Sequence, residues 1–374
     1  MRPIFDAHLD LAWNALSFDR DQRCSIEQLR ADELGMSGSC RGNCTVCLPE
    51  LRRAGVGFCL GTLLCRARPS DPDRSGSVHH RLASRSRGKR ILREDLDYAN
   101  QTIASAAAQG QLAYYRMLEQ QGEIRLVEDV AGLDQVWADW STELAGPIGV
   151  LLSMEGADPI LNSDQAGWWW EQGLRTACLA HYGPSAYAMG TGSDGALSDL
   201  GRELLKRFEQ LGMILDLVHT ADMALVEALE LFGGAVFVSH ANCRSLVDHD
   251  RQLSDEQIRL ITKRGGVIGV VLDAWMLSED WMQSGKDRRG VGLEVVVNHI
   301  DHICQLVGTT AHVGIGSDLD GGFGIEQCPH DLNTIVDLQK IGPILESRGY
   351  TDNEINSIFY GNWLRFFRQA LPCQ

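Results

Sequence analysis

The chain is 374 residues long with 44% apolar and 22% charged side chains, ample for one large core, and it fits a single domain over residues 1–374. Its net charge of −16, with no basic patch interleaved with aromatics, argues against nucleic acid and anionic membrane as partners. No apolar run approaches the ~20 residues that span a bilayer. The N-terminus lacks the basic-then-apolar pattern of a leader peptide, so a cytoplasmic chain is expected, its eleven cysteines reduced.

The first predicted strand, PIFDAHLD, ends in His8 and Asp10. Side chains two apart on a strand point the same way, so this pair can share one metal ion. Residues 37–50 follow as a Gly-, Ser- and Cys-rich connection that carries Cys40, Cys44 and Cys47. Strand two, residues 55–65, opens into an arginine- and turn-rich insertion at 66–95, which reads either as a lid or as a solvated surface loop. Helical spacing covers 96–125 and again 130–144. The third strand, 146–156, is almost wholly apolar until Glu155. A carboxylate there needs a partner, because burying an unpaired charge is expensive.

The fourth strand, 173–183, delivers His181 and leads into a turn-prone loop. Three consecutive tryptophans, Trp168, Trp169 and Trp170, sit on the preceding helix and are expected in core and rim packing. Strands five (GMILDLVHT) and six (AVFVSHAN) deliver His219 and His240 at matching heights. Strand seven gives Asp273, and strand eight gives Asp318 and Asp320 before a double glycine. Residues 332–371 read as extra C-terminal helices that close the barrel and continue beyond it.

Eight strands alternating with helices, with reactive residues at the strands' carboxyl ends, predict an α/β fold: a (β/α)8 TIM-type barrel of the metal-dependent hydrolase type, its active site at that mouth. Imidazole and carboxylate donors without a dedicated thiolate suit Zn2+ or a similar divalent ion. Five ligands, His8, Asp10, Glu155, His219 and His240, are too many for one open catalytic zinc and about right for two, with Glu155 as the bridge. A hydroxide bridging such a pair points to hydrolysis of an amide, ester or phosphoester. Asp318 is left free to shuttle a proton from water to leaving group. His181 reads either as a donor to the developing oxyanion or as an orienting residue behind the ligands.

The series HLD, SMEG, LVHT, VSHAN and GIGSDLDG, with DHDRQLSDEQI and IFYGNWLRFF, runs in order along the chain and resembles the membrane (renal) dipeptidase family of dizinc, amidohydrolase-like barrel peptidases. The resemblance implies a zinc metallodipeptidase with one metal on His8 and Asp10, a second on His219 and His240, and Glu155 between them. It implies that Asp318 handles the proton and that His181 faces the substrate carbonyl. It also implies an arginine on the substrate's carboxylate, placed on Arg251 with Arg244 as the alternative; a planar guanidinium suits that task. A homodimer is implied too, as are dipeptide substrates, in bacterial members often with a D-residue at the C-terminal position. Tyr182 and Pro184 after His181, and the arginine density of the insertion, depart from the family pattern and bear on substrate preference.

Two other readings remain open at this stage. One is a hydrolase of the same barrel type acting on another small amide or a lactone. The other is a radical SAM enzyme, with an Fe–S cluster on Cys40, Cys44 and Cys47.

Overall fold

Runs of valine, isoleucine, leucine and glycine without polar alternation make strands that are buried on both faces. All eight predicted runs form such strands in the computed structural model, which describes residues 1–38, 40–68, 96–143 and 146–373. They are β1 (Ile4–Leu9), β2 (Val56–Leu64), β3 (Ile148–Glu155), β4 (Leu174–Cys178), β5 (Ile214–Asp216), β6 (Val236–Phe237), β7 (Ile268–Val270) and β8 (Val313–Ile315). From β1 to β6 each pairs in parallel with the next, and β7 pairs with β8 and β8 with β1. Closure between β6 and β7 is brief: the Val238 N–H donates to Val267 O at 3.0 Å and the Gly269 N–H to Val238 O at 2.9 Å. The expected (β/α)8 barrel is therefore the fold.

Glycine makes that closure possible. A Cβ on Gly316 would lie 1.8 Å from the Ser239 carbonyl oxygen, and one on Gly269 would lie 1.9 Å from the same atom. Below this level the barrel is plugged by aromatic rings. Phe5 stacks on Phe58 at 5.3 Å and on Phe367 at 5.4 Å, and Trp363 lies over Phe367 at 6.0 Å. The Trp363 and Phe367 rings come from the last helix, Asn362–Ala370, and the Trp363 indole N–H donates to Ile315 O at 3.0 Å. The predicted C-terminal helices thus seal the floor, and one apolar cluster runs from Ile4 to Leu371.

Two sequence boundaries shift. The helical pattern at 96–125 is a helix only over Gln101–Gln120, started by Asn100, whose side chain accepts the Ile103 N–H at 3.0 Å. Ile124–Leu126 instead adds a strand to the outer side of β3, because the apolar positions there alternate in pairs. Within the predicted insertion, Arg66–Ala67 forms a short strand that pairs with Asp97–Tyr98 as a separate two-stranded sheet, and residues 69–95 lie outside the described residues. Among the described residues no helix is long and apolar enough to cross a membrane.

One histidine outside the barrel mouth links fold to pH. His299, on helix Leu293–Val307, accepts the Cys243 N–H on Nδ1 at 3.2 Å and meets Leu277 O through Nε2 at 3.3 Å. Burial lowers its pKa from 6.5 to about 4. The unfolded chain therefore takes up this proton near pH 6.5 and the folded chain only near 4, so the contribution is complete above 6.5 and is lost as the pH falls between the two.

Two stability measurements test these points. Chemical denaturation of Gly316→Ala should show a loss of about 3 kcal/mol, as overpacking prevents clean closure; parent-like stability would mean that closure does not depend on this glycine. Melting curves from pH 7 to pH 4 should show His299→Asn losing less on acidification than the parent, the difference reaching about 3 kcal/mol. Parallel pH dependences would remove His299 as a cause of acid sensitivity.

Candidate metal centre

The barrel brings strand-end side chains together because parallel strands present equivalent positions at one rim. Glu155 is the last residue of β3, and His8 sits one residue before the end of β1. Asp10 follows β1 directly; His219, His240, Asp273 and Asp318 each lie three residues beyond β5, β6, β7 and β8, as does His181 beyond β4. His219 and Asp318 occupy the left-handed region, with φ of 58° and 57°, a strain that non-glycine residues hold only where the surroundings fix them. A Cβ on Gly321 would fall 1.8 Å from Asp318 Oδ1, which explains the first of the two glycines in the sequence.

The donors converge on Glu155. Its Oε2 lies 3.6 Å from His8 Nε2, while its Oε1 lies 3.3 Å from His219 Nε2 and 3.4 Å from the Nε2 atoms of both His240 and His181. His8 Nε2 is also 3.7 Å from Asp10 Oδ1 and 3.6 Å from Asp318 Oδ1. Three groupings have donor atoms within 4.8 Å of one another: His8 with Glu155 and His240, Glu155 with His181 and His219, and His8 with Asp10 and Asp318. The five predicted ligands and Asp318 are thus gathered in one place, with the two Glu155 oxygens facing opposite groups.

Electrostatics explain why this cluster suits a cation. Burial pushes the Asp318 carboxyl well above its ordinary pKa, with Asp10 and Glu155 adding to the effect. Burial also acts against the charge on Glu155, but His8 and His181 outweigh it and hold this carboxyl well below the usual range. On His8, burial is outweighed by Glu155 and Asp10, which raise its pKa. Burial lowers the pKa of His219 and His240, leaving neutral rings able to offer a lone pair. His8 Nε2 is buried and has no hydrogen-bond partner among the described residues. An orphaned imidazole nitrogen among three carboxylates is the donor set of a divalent metal, and these residues fit one.

Supporting contacts come from residues that the sequence left unnoticed. Thr62 donates its hydroxyl to Asp10 Oδ1. Thr191 Oγ1 meets His219 Nδ1 at 3.1 Å, and Ser239 Oγ meets His240 Nδ1 at 2.9 Å. Asp6 Oδ1 accepts the N–H groups of Ser317 (2.8 Å) and His8 (3.2 Å), and Asp216 Oδ1 accepts those of Ser239 and Val218, both at 3.0 Å. Alternation along β1 signals Asp6, which shares a face with His8; nothing in the sequence signals Arg66, whose Nη1 lies 3.2 Å from His181 Nδ1.

A cavity of about 290 Å3 opens above the cluster, walled by Trp13, Arg66, Tyr182, Arg251, Asp273 and Met276 among others. Arg251 is 4% exposed and spends Nη2 on His240 O at 2.9 Å, while Nε and Nη1 have no partner among the described residues. Arg244 is turned elsewhere, into a two-pronged pair with Asp222 at 2.7 and 2.8 Å. Asp273 receives the Gln327 amide on both oxygens at 2.8 and 2.9 Å, and burial pushes its carboxyl up to about 7.

The cysteine loop does not form a cluster site, which corrects the radical SAM alternative. Cys40 packs with Trp13, Phe18, Leu64 and Leu96, whereas Cys44 and Cys47 pack with Ile26 and Leu29. Burial pushes the thiols of Cys44 and Cys47 up to about 12. The loop is pinned by a carboxylate: Asp320 accepts the Thr45 N–H at 2.7 Å, its hydroxyl at 2.8 Å and the Val46 N–H at 3.0 Å. Among the tryptophans, Trp169 is fully buried and Trp170 lies under the Arg175 guanidinium at 4.0 Å, so both pack the fold.

Comparison with known proteins bears on the family and the fold. A sequence model described as membrane dipeptidase (peptidase family M19) matches residues 1–373. An uncharacterised dipeptidase of Schizosaccharomyces pombe is 27% identical over 230 residues, covering 60% of this chain and 54% of that protein. Dipeptidase 3 of Mus musculus is 31% identical over 174 residues, covering 46% and 33%. The chain thus spans about half or less of the length of these curated relatives. Among solved structures, a metallopeptidase named dipeptidase AC superposes with a TM-score of 0.78 at 19% identity, covering 99% of both chains. A metallopeptidase from Rhodobacter sphaeroides, liganded with a phosphinate mimic of the dipeptide L-Ala-D-Ala, gives 0.76 at 20% identity, again covering 99% of both.

Replacing Glu155 should disassemble the centre, since both of its oxygens face donor groups. Elemental analysis of Glu155→Ala is expected to show metal content falling to less than about half of the parent's. Retention of the parent's metal content would show that Glu155 is not shared.

Proposed function

The chain belongs to the membrane dipeptidase family, and we propose from that premise that it is a metal-dependent dipeptidase that hydrolyses the single peptide bond of a dipeptide. In this reading His8 and Asp10 would hold one zinc and His219 and His240 a second, with Glu155 available to both. Metal held there would supply the acidity that readies a water for attack and the polarisation of the scissile carbonyl. Everything else falls to the chain's own side chains.

The observation that carries the reading is Arg251. Arg251 is 4% exposed and lines the same cavity as the donor cluster, and its Nε and Nη1 are buried without a partner among the described residues, so an anionic ligand of short reach would satisfy them. The terminal carboxylate of a dipeptide meets that requirement and places the adjacent peptide bond over the cluster. His181, at the cavity wall beside Glu155, faces the carbonyl oxygen and donates to it as negative charge develops. Asp318 reaches His8 at 3.6 Å and His240 at 3.9 Å, so its carboxyl lies between both ligand groups and can pass a proton to the departing amine. The phosphinate mimic of L-Ala-D-Ala held by the Rhodobacter sphaeroides relative supports a D-residue at the C-terminal position as one accepted substrate.

Two experiments test the assignment. Asp318→Asn should retain metal while kcat falls about 10^2–10^4-fold, the range of a lost general acid–base group; undiminished turnover would remove the proton role. A panel of L-Xaa-L-Xaa and L-Xaa-D-Xaa dipeptides should be cleaved, and their C-terminal amides hardly at all. Amides turned over as well as the free acids would exclude Arg251 as the carboxylate's partner and favour a different small amide as substrate.

A further inference from the structure

We propose that Arg66 is a positioning residue that fixes the ring proton of His181 on Nε2, which keeps this histidine out of the metal shell and makes it a donor. The proposal rests on the dipeptidase reading only for the use to which that donor is put.

Arg66 begins the short strand that continues β2, with its backbone N–H on Leu96 O at 3.0 Å. Its side chain is 3% exposed, its Nη2 pairs with the buried Asp97 carboxylate, and its Nη1 lies 3.2 Å from His181 Nδ1. A guanidinium has five N–H donors and no acceptor. His181 Nδ1 must therefore accept, so it carries a lone pair and the neutral ring bears its proton on Nε2.

The other histidines facing the same Glu155 oxygen are held differently. His219 Nδ1 meets the Thr191 hydroxyl and His240 Nδ1 meets the Ser239 hydroxyl. A hydroxyl can accept, so these rings can keep the proton on Nδ1 and turn a lone pair on Nε2 toward a metal, the usual arrangement of a ligating histidine. Three imidazoles thus lie within 3.3–3.4 Å of one carboxylate oxygen, and the partner on the far nitrogen sorts them into two ligands and one donor. Asp97 anchors the guanidinium that makes the distinction, so Arg66 and Asp97 act as one unit behind His181.

Nitrogen-15 NMR of histidine-labelled, metal-loaded protein reads the tautomer directly, with the His181 signals assigned by their loss in His181→Ala. Arg66→Met and Arg66→Lys are then compared for tautomer, metal content, KM and kcat. The parent is expected to show the Nε2–H form of His181, and Arg66→Met a mixture or the Nδ1–H form. With metal content and KM unchanged, kcat should fall about 10–100-fold in Arg66→Met and recover in part in Arg66→Lys, whose ammonium still donates. In the His181→Ala background the same change should have less than about a twofold effect, because the two residues act as a unit. An Nδ1–H ring in the parent would overturn the proposal, as would fully multiplicative losses. Unchanged kcat in His181→Ala alone would instead remove the donor role from the dipeptidase reading, with the spectrum still deciding what Arg66 does.

Discussion

Three carboxylates face one imidazole nitrogen at the barrel's mouth, and the remainder of the structure is arranged around the demand this creates. Asp10, Glu155 and Asp318 all lie within 3.6–3.7 Å of His8 Nε2, in a place where water cannot spread their charge. Bringing such groups together without compensation is among the most expensive acts available to a folding chain. A proton on His8 answers only part of the demand. A divalent cation answers more of it, because its double charge is delivered to several oxygens at once. The neighbouring imidazoles, kept neutral by burial, supply further donors and add no charge of the wrong sign.

Such a cluster needs a rigid frame, and the barrel divides that task between its two ends. At the floor, Phe5, Phe58, Trp363 and Phe367 fill the lumen with rings, and glycines at 269 and 316 let the last strands approach closely. At the rim, two buried aspartates act as equivalent clamps on different strand pairs. Asp6 joins β1 to the start of the Asp318 loop through the Ser317 N–H, and Asp216 joins β5 to the His240 turn through the Ser239 N–H. Each also accepts an N–H from its own chain two residues on. The clamps hold the loops that carry two left-handed residues of the cluster, His219 and Asp318, which fixes strained backbone where the donor atoms must point.

Much of this was legible in the sequence, for a definite reason. Parallel strands buried on both faces leave continuous apolar runs, and a polar residue that ends such a run has no cheap structural excuse, so Glu155, His219 and His240 stood out at once. The helical spacing at 96–125 was misread at its ends because the change from helix to strand there involves only a few residues. Asp6 and Asp216 were hidden for the opposite reason to Glu155: each lies inside an apolar run, where a single polar residue attracts no notice although alternation turns it toward the ligands. Arg66 was hidden by its composition. It opens a stretch crowded with arginines, and only the pairing of Arg66–Ala67 with Asp97–Tyr98 separates it from the rest. The cysteine triplet misled through spacing alone; the fold sends Cys40 into one apolar cluster and Cys44 and Cys47 into another.

The same contrast shows which parts of the site can vary independently. The donor cluster is carried by strand ends and the turns after them, with Asp10, His219 and His240 each held by a hydroxyl, so a change there disturbs barrel and donor set together. The cavity wall is carried by loops and by Arg66: Tyr182 follows His181, Met276 lies in the short helix Ala274–Leu277, and Asp273 is steadied by Gln327 from another loop. Tyr182 sets its ring edge-on to both His181 and His219, at 5.0 and 4.9 Å, so it shapes the cavity above the donor cluster. Arg251 spans both layers: it lines the cavity, and one of its nitrogens is on the His240 carbonyl. The height of this guanidinium above the donor cluster is thereby set by the frame, while the rest of the cavity wall is left to the loops.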